Sequence, residues 1–168
     1  MIRSLRRVFV WGCQHGFTIL AVFLVVGYSL SLLKPGPAQA DEAVDILKSV
    51  ALSDVAMEDK LCALEELKEK GSAAARAALV EIAEKAELRV AMAACAQLGR
   101  VKSSDSKGDL KGLLEDGGNR IEVRLAAATG IATHWKDSGD ISYLEGKCSG
   151  NTKLSAHLTE VKSRVYGK

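Results

Sequence analysis

Two stretches of this chain, "VAMAACAQLG" (90–99) and "VRLAAATGIA" (123–132), superpose at a constant offset of 33 residues. Val90 meets Val123, Ala93 meets Ala126, Ala94 meets Ala127 and Leu98 meets Ile131. Upstream, "DKLCALEELK" (59–68) enters the same frame at an offset of 31, with Cys62 and Ala63 at the small positions and Leu67 at the aliphatic one. Downstream, "TKLSAHLTEV" (152–161) keeps Ser155 and Ala156 but sets Glu160 where the aliphatic belongs. A repeat of roughly 30 to 40 residues is a unit that cannot bury its own apolar face, so neighbouring units must stack. Alanine in the frame has the same cause. A helix that touches both its hairpin mate and the next hairpin must let two neighbours come close at once.

The repeating unit reads as helical. From Asp41 onward there is no proline and no phenylalanine, and alanine, leucine, glutamate and lysine dominate. These side chains lose little freedom in a helix. Breakers predict eight helices, over Glu42 to Ala51, Met57 to Lys70, Ser72 to Lys85, Glu87 to Val101, Ser106 to Glu115, Arg120 to Trp135, Gly139 to Lys147 and Thr152 to Tyr166. Ser53-Asp54, Ser72, Ser103-Ser104, Asp137-Ser138 and Asn151 offer side-chain oxygens as N-caps, and Gly71, Gly117-Gly118 and Gly150 offer left-handed turns. Shorter helices with larger anchors (Leu79 and Ile82; Leu110, Leu113 and Leu114; Ile141 and Leu144) alternate with the alanine-rich ones. The expected fold is an all-α superhelix of four hairpins.

The frame V-R-x-A-A-x-x-A-L-G, met in part by residues 123–132 and 90–99, resembles the second helix of HEAT-like repeats, in particular the short kind found in phycobilisome-lyase-type HEAT proteins. The resemblance covers Asp41 to Tyr166. It departs where Ala91 replaces the arginine, with Arg89 nearby, and where Lys60 and Lys153 stand in. It implies scaffolding and protein binding more than catalysis.

The first forty residues differ in kind. They hold all three phenylalanines, both prolines, and four of the 23 basic residues against no acid, so the remainder carries 21 acids to 19 bases. The basicity of the whole chain therefore belongs to the leader and is no argument for nucleic acid. Arg3, Arg6 and Arg7 precede an uncharged run over Phe17 to Leu33, and "KPGPAQA" ends in the small-x-small pattern of a signal peptidase site, presented as extended chain by Pro35, Gly36 and Pro37. Cleavage after Ala40 is expected. The alternative is retention as an anchor, since 17 residues is the short end of a bilayer span, about 17 to 25 residues. Either outcome places the repeats outside the cytoplasm. "LRRVFV" (5–10) also matches a twin-arginine export motif, and Cys13 precedes the apolar core where a lipidated cysteine would follow it.

No catalytic constellation is visible, and the expectation is a non-enzyme with no cofactor and no metal. Cys62, Cys95 and Cys148 lack CxxC spacing; the first two fall on equivalent helices, where burial as small apolar groups is expected, and Cys148 is expected as a free thiol near a loop. His134 and His157 have no ligand at metal spacing. "DSKGD" (105–109) and "DSGD" (137–140) lack the rest of a calcium loop and read as helix caps. Candidate binding residues are Arg89, Arg120 and Arg124, a cationic strip along the second helices, and Trp135 and Tyr143 beside a turn. The function expected is an exported interaction module or scaffold whose partner is a protein, acidic or membrane-embedded. The alternatives are a membrane-anchored accessory subunit and, from the resemblance, a lyase-like assembly factor acting on a cofactor-bearing client.

Overall fold

A computed structural model describes residues 37–167, with side chains from 41 onward; the twin-arginine motif, the apolar run and Cys13 lie outside the described residues. Residues 41–168 form one compact unit. Eight helices and no strand occur among the described residues: α1 (Pro37–Leu52), α2 (Met57–Lys70), α3 (Ala73–Lys85), α4 (Leu88–Val101), α5 (Ser104–Glu115), α6 (Ile121–His134), α7 (Ser138–Cys148) and α8 (Thr152–Tyr166). They form an α-α superhelix of four hairpins in two rows. The second helices α2, α4, α6 and α8 pack each on the next, and α3 and α5 pack together in the row of first helices. The core between the rows is aliphatic, with Leu64, Leu79, Val90, Leu98, Leu110, Val123, Ile131 and Leu144 almost wholly buried. Burying each such side chain contributes about 1.5–3 kcal/mol.

The helix starts follow local chemistry. Ser72 accepts from the Ala75 amide at 3.1 Å. Ser103 and Ser106 form a reciprocal capping box, Asp137 caps α7 through the Asp140 amide at 2.7 Å, and Asn151 accepts from Lys153 and Leu154. Ser53-Asp54 does not cap α2. That helix starts after Ala56 with no side-chain cap, and the Ser53 hydroxyl instead donates back to the Val50 carbonyl at 2.9 Å. Of the predicted left-handed glycines, Gly71 alone has a positive φ, 56°. The other positive φ belongs to Lys102, 55°, at the end of α4. α1 begins at Pro37 and not at Glu42, carrying Ala38 to Ala40 in its first turn. Proline is tolerated at a first helical position and alanine favours the helix, so the expected extended cleavage segment is helical in the folded chain.

The repeat holds where it is clearest. Val90 and Val123, Ala94 and Ala127, and Leu98 and Ile131 are buried in pairs. The last unit requires a corrected register. Ser155, Ala156 and Glu160 are exposed, while Leu154, Leu158 and Val161 face the core. α8 therefore follows α6 at an offset of 31 residues, not 29. As the terminal helix among those described, it packs mainly on α6 and α7, and large side chains replace the small ones there.

Small residues do bring α4 and α6 together. A Cβ built on Gly99 falls 3.5 Å from the Gly130 Cα and 2.7 Å from the His134 ring, and one on Gly130 falls 3.5 Å from the Cys95 carbonyl. Outside this seam, ion pairs tie consecutive first helices: Lys48 to Glu81 at 3.2 Å, Arg76 to Asp109 at 3.2 Å and Lys107 to Asp140 at 2.6 Å.

Candidate functional site

The second helices carry an apolar stripe that the repeat itself generates. Met57 and Leu61 on α2, Leu88 and Met92 on α4, and Ile121 and Leu125 on α6 occupy equivalent positions, each pair one helical turn apart. Leu61, Leu88 and Met92 remain 38%, 40% and 42% exposed. Met57, Ile121 and Leu125 are half-buried against the core. On α8 the equivalents are Thr152 and Ala156, where the stripe ends.

Beside it lies an open groove of about 400 Å³ between α4, α6 and α8, with Met92, Ala96 and Ala126 as its apolar floor and Thr129, Thr133, Arg100, His134 and His157 as its polar groups. Its two histidines stand far apart in sequence and are brought together by adjacency of α6 and α8. The Thr129 hydroxyl donates to the Leu125 carbonyl at 2.9 Å and lies 2.8 Å from His157 Nε2. A hydroxyl has one proton to give. His157 Nε2 must then be the donor in that second bond, which leaves Nδ1 without the proton in the neutral ring.

His134 occupies the space that Gly99 leaves beside α4. Burial, and then the positive charges of Lys102, Arg100 and Lys136, hold its imidazole below the ordinary value of 6.5. Arg100 reaches the Gln97 amide oxygen at 3.5 Å and Glu65 at 3.9 Å. Three positive side chains, one of them with Glu65 at 3.9 Å, thus stand near the His134 ring.

The five residues expected to bind are engaged at separate places. Arg89 is exposed on the first turn of α4. Arg120 donates to the Ala86 carbonyl at 2.6 Å, and Arg124 to the Leu114 carbonyl at 2.9 Å. These two guanidiniums tie α6 to carbonyls at or just past the ends of α3 and α5 and do not form the expected strip with Arg89. Trp135 ends α6 with Lys107 Nζ 5.8 Å from its ring centroid. Tyr143 is half-buried, with Lys111 Nζ 4.2 Å from its ring centroid. It donates its hydroxyl to Glu115 at 2.8 Å, and burial pushes the phenol up.

Among the cysteines, Cys95 is buried and its thiol is pushed up to about 12. Cys148 is a free thiol at the end of α7, as expected, and it is buried. Cys62 is exposed, against the expectation of burial. Asp137 and Asp140 serve the cap and the Lys107 ion pair.

No protein-family model and no curated protein matches the chain. Among solved structures it is similar to human deoxyhypusine hydroxylase, determined in complex with glycerol, with a TM-score of 0.61 and 16% identity over 77% of this chain and 46% of that one. The chain thus spans less than half the length of that HEAT-repeat protein, and at this identity the likeness carries the fold and not the activity. It also corrects one expectation. The neighbour is an enzyme, so this architecture supports catalysis, and the expectation of a non-enzyme, drawn from the lack of a visible catalytic constellation, does not stand.

Proposed function

We propose that the chain is an exported interaction module whose second-helix face takes a polypeptide segment of another extracytoplasmic protein. The observation that carries this reading is the apolar stripe: large side chains left in water at repeat-equivalent positions of consecutive helices, next to an open groove with an apolar floor. Exposed apolar groups arrayed along one face and bordered by polar ones favour burial against a partner. Thr133, His134 and His157 supply polar contacts along the groove, which suits a peptide backbone. Export rests on the leader: its arginines, its apolar run and Ala38-Gln39-Ala40. No helix among the described residues is long and apolar enough to cross a membrane.

The test places a photo-crosslinking amino acid at position 92, or at Glu84 on the exposed side of α3, in the chain within its native cells. A discrete protein adduct at 92 and none at 84 is expected. No adduct at 92, or the same adducts at both positions, overturns the reading. Intact mass of the protein recovered from the native envelope separates a cleaved leader from a retained anchor by the loss or presence of residues 1–40.

A further inference from the structure

Lys102 is the only non-glycine residue with positive φ among the described residues. It stands 31 positions after Gly71, which ends α2 in the same left-handed conformation. At such a helix end glycine is strongly favoured, because a Cβ is crowded there. A lysine at this position costs stability and needs another reason. Its neighbourhood suggests one. Lys102, Arg100 and Lys136 all act on His134 with positive charge, and no carboxylate appears among the charges acting on that imidazole. Arg100 has a carboxylate only at 3.9 Å, from Glu65. Other cations on the molecule are held closer to a carboxylate, as Lys107 with Asp140 at 2.6 Å and Lys60 with Glu87 at 2.9 Å. A glycine position given to a cation two residues beyond Arg100, which lines the groove, favours an anion at this end of it.

We propose that the partner segment presents a carboxylate to Arg100, Lys102 and Lys136 at the His134 end of the groove, with an adjacent apolar side chain on Met92, Ala96 and Ala126. This inference rests on the interaction-module reading and names the chemistry of its partner. A free fatty acid has the same two parts. It fits less well, because a plain alkyl chain leaves Thr133 and the Nδ1 of His157 without partners and an open groove would leave much of it in water. The carboxylate comes either from the end of the partner chain or from an acidic side chain.

The experiment measures fluorescence anisotropy of labelled peptides with the full-length protein. The peptides are Gly-Ser-Gly-Leu-Leu with a free carboxyl terminus, the same peptide amidated, an amidated Gly-Ser-Leu-Glu-Gly and an amidated Gly-Ser-Leu-Lys-Gly. Decanoate serves as competitor. At least one carboxylate peptide is expected to bind about tenfold tighter than the neutral and lysine peptides, one charge-assisted contact being about that factor. Which one does so identifies the source of the carboxylate. Lys102→Gly is the decisive variant, since it relieves the backbone and is expected to raise Tm while weakening the carboxylate peptide several-fold. Arg100→Gln is expected to weaken it further. Equal binding of all four peptides, no binding of any, displacement by decanoate at matched concentration, or unchanged affinity in Lys102→Gly overturns the proposal. A position-92 crosslink to a protein together with equal binding of the four peptides retires the carboxylate and leaves the interaction reading standing. Loss of that crosslink retires both.

Discussion

Alanine at Gly99 and at Gly130 should act in opposite directions, although both glycines sit inside helices on one seam. Replacing a helix-interior glycine with alanine gains about 1 kcal/mol of helix propensity. At Gly130 the new methyl lies 3.2 Å from Leu110 Cδ1 and 3.5 Å from the Cys95 carbonyl. Leu110 is fully buried and cannot retreat, so overpacking costs about 1–3 kcal/mol. The balance is a loss of about 1 kcal/mol. At Gly99 the methyl meets the His134 ring at 2.7 Å. That ring ends a half-buried side chain at the rim of the groove and can swing away, so most of the propensity gain survives. For a domain of this size a change of 1 kcal/mol moves Tm by about 3–5 °C. Thermal melts followed by circular dichroism should show Gly130→Ala melting lower by about that amount and Gly99→Ala melting level or slightly higher. In Gly99→Ala, proton NMR should also find the His134 pKa returned toward its ordinary value as the ring gains water. Equal stabilisation by both alanines would refute close approach of α4 and α6, and with it the explanation of the small residues.

Leu98→Ala and Ile131→Ala remove equivalent, fully buried side chains; chemical denaturation should show each costing about 2–5 kcal/mol, and similar amounts. Because the folded His134 imidazole titrates below its unfolded value of 6.5, the unfolded chain binds the extra proton first as pH falls. Stability should be full above 6.5 and decline on acidification down to the folded pKa, and His134→Gln should remove this part of the pH profile in melts taken over that window. Iodoacetamide followed by peptide mass spectrometry should label Cys62 in the native protein and spare Cys95 and Cys148, which are buried and whose thiols burial pushes up.

Helix periodicity and the repeat made most of the fold legible, because Val90, Leu98 and their partners 33 residues on obey the same burial demand. The last repeat was misaligned for a physical reason. Ser155-Ala156 imitates the small pair of the earlier units, but a helix with no successor among the described residues has no need of small residues, and its core positions are Leu154, Leu158 and Val161. That slip also hid the groove. At the corrected offset of 31, His157 stands where Ala126 stands in the preceding unit, on the face of the groove. His134 could not have been placed this way. It lies against α4 only because position 99 lacks a side chain, a fact of packing between helices. The carbonyl partners of Arg120 and Arg124 are not legible in the sequence, because charge count alone does not distinguish a guanidinium that serves a neighbouring helix end from a free cation.

The same period separates the two faces of the superhelix. Lys48 and Glu81, Arg76 and Asp109, Lys107 and Asp140 are each 33 residues apart, so every pair joins one first helix to the next. These pairs are half-buried, and Asp140 is buried outright; they neutralise the first-helix face unit by unit and fix its register. The second helices use the equivalent period differently. Leu61 and Met92 repeat exposed apolar groups, and Gly71 and Lys102 repeat a helix end at which the later unit has given up glycine for a charge. Ion pairs also join second helices, Arg100 to Glu65 at 3.9 Å for example, but among the described residues none of those recurs at a constant period. The ion pairs at the 33-residue period thus give intramolecular cohesion to the first-helix row, and the proposed partner contact falls on the second, where Leu61, Leu88 and Met92 remain exposed.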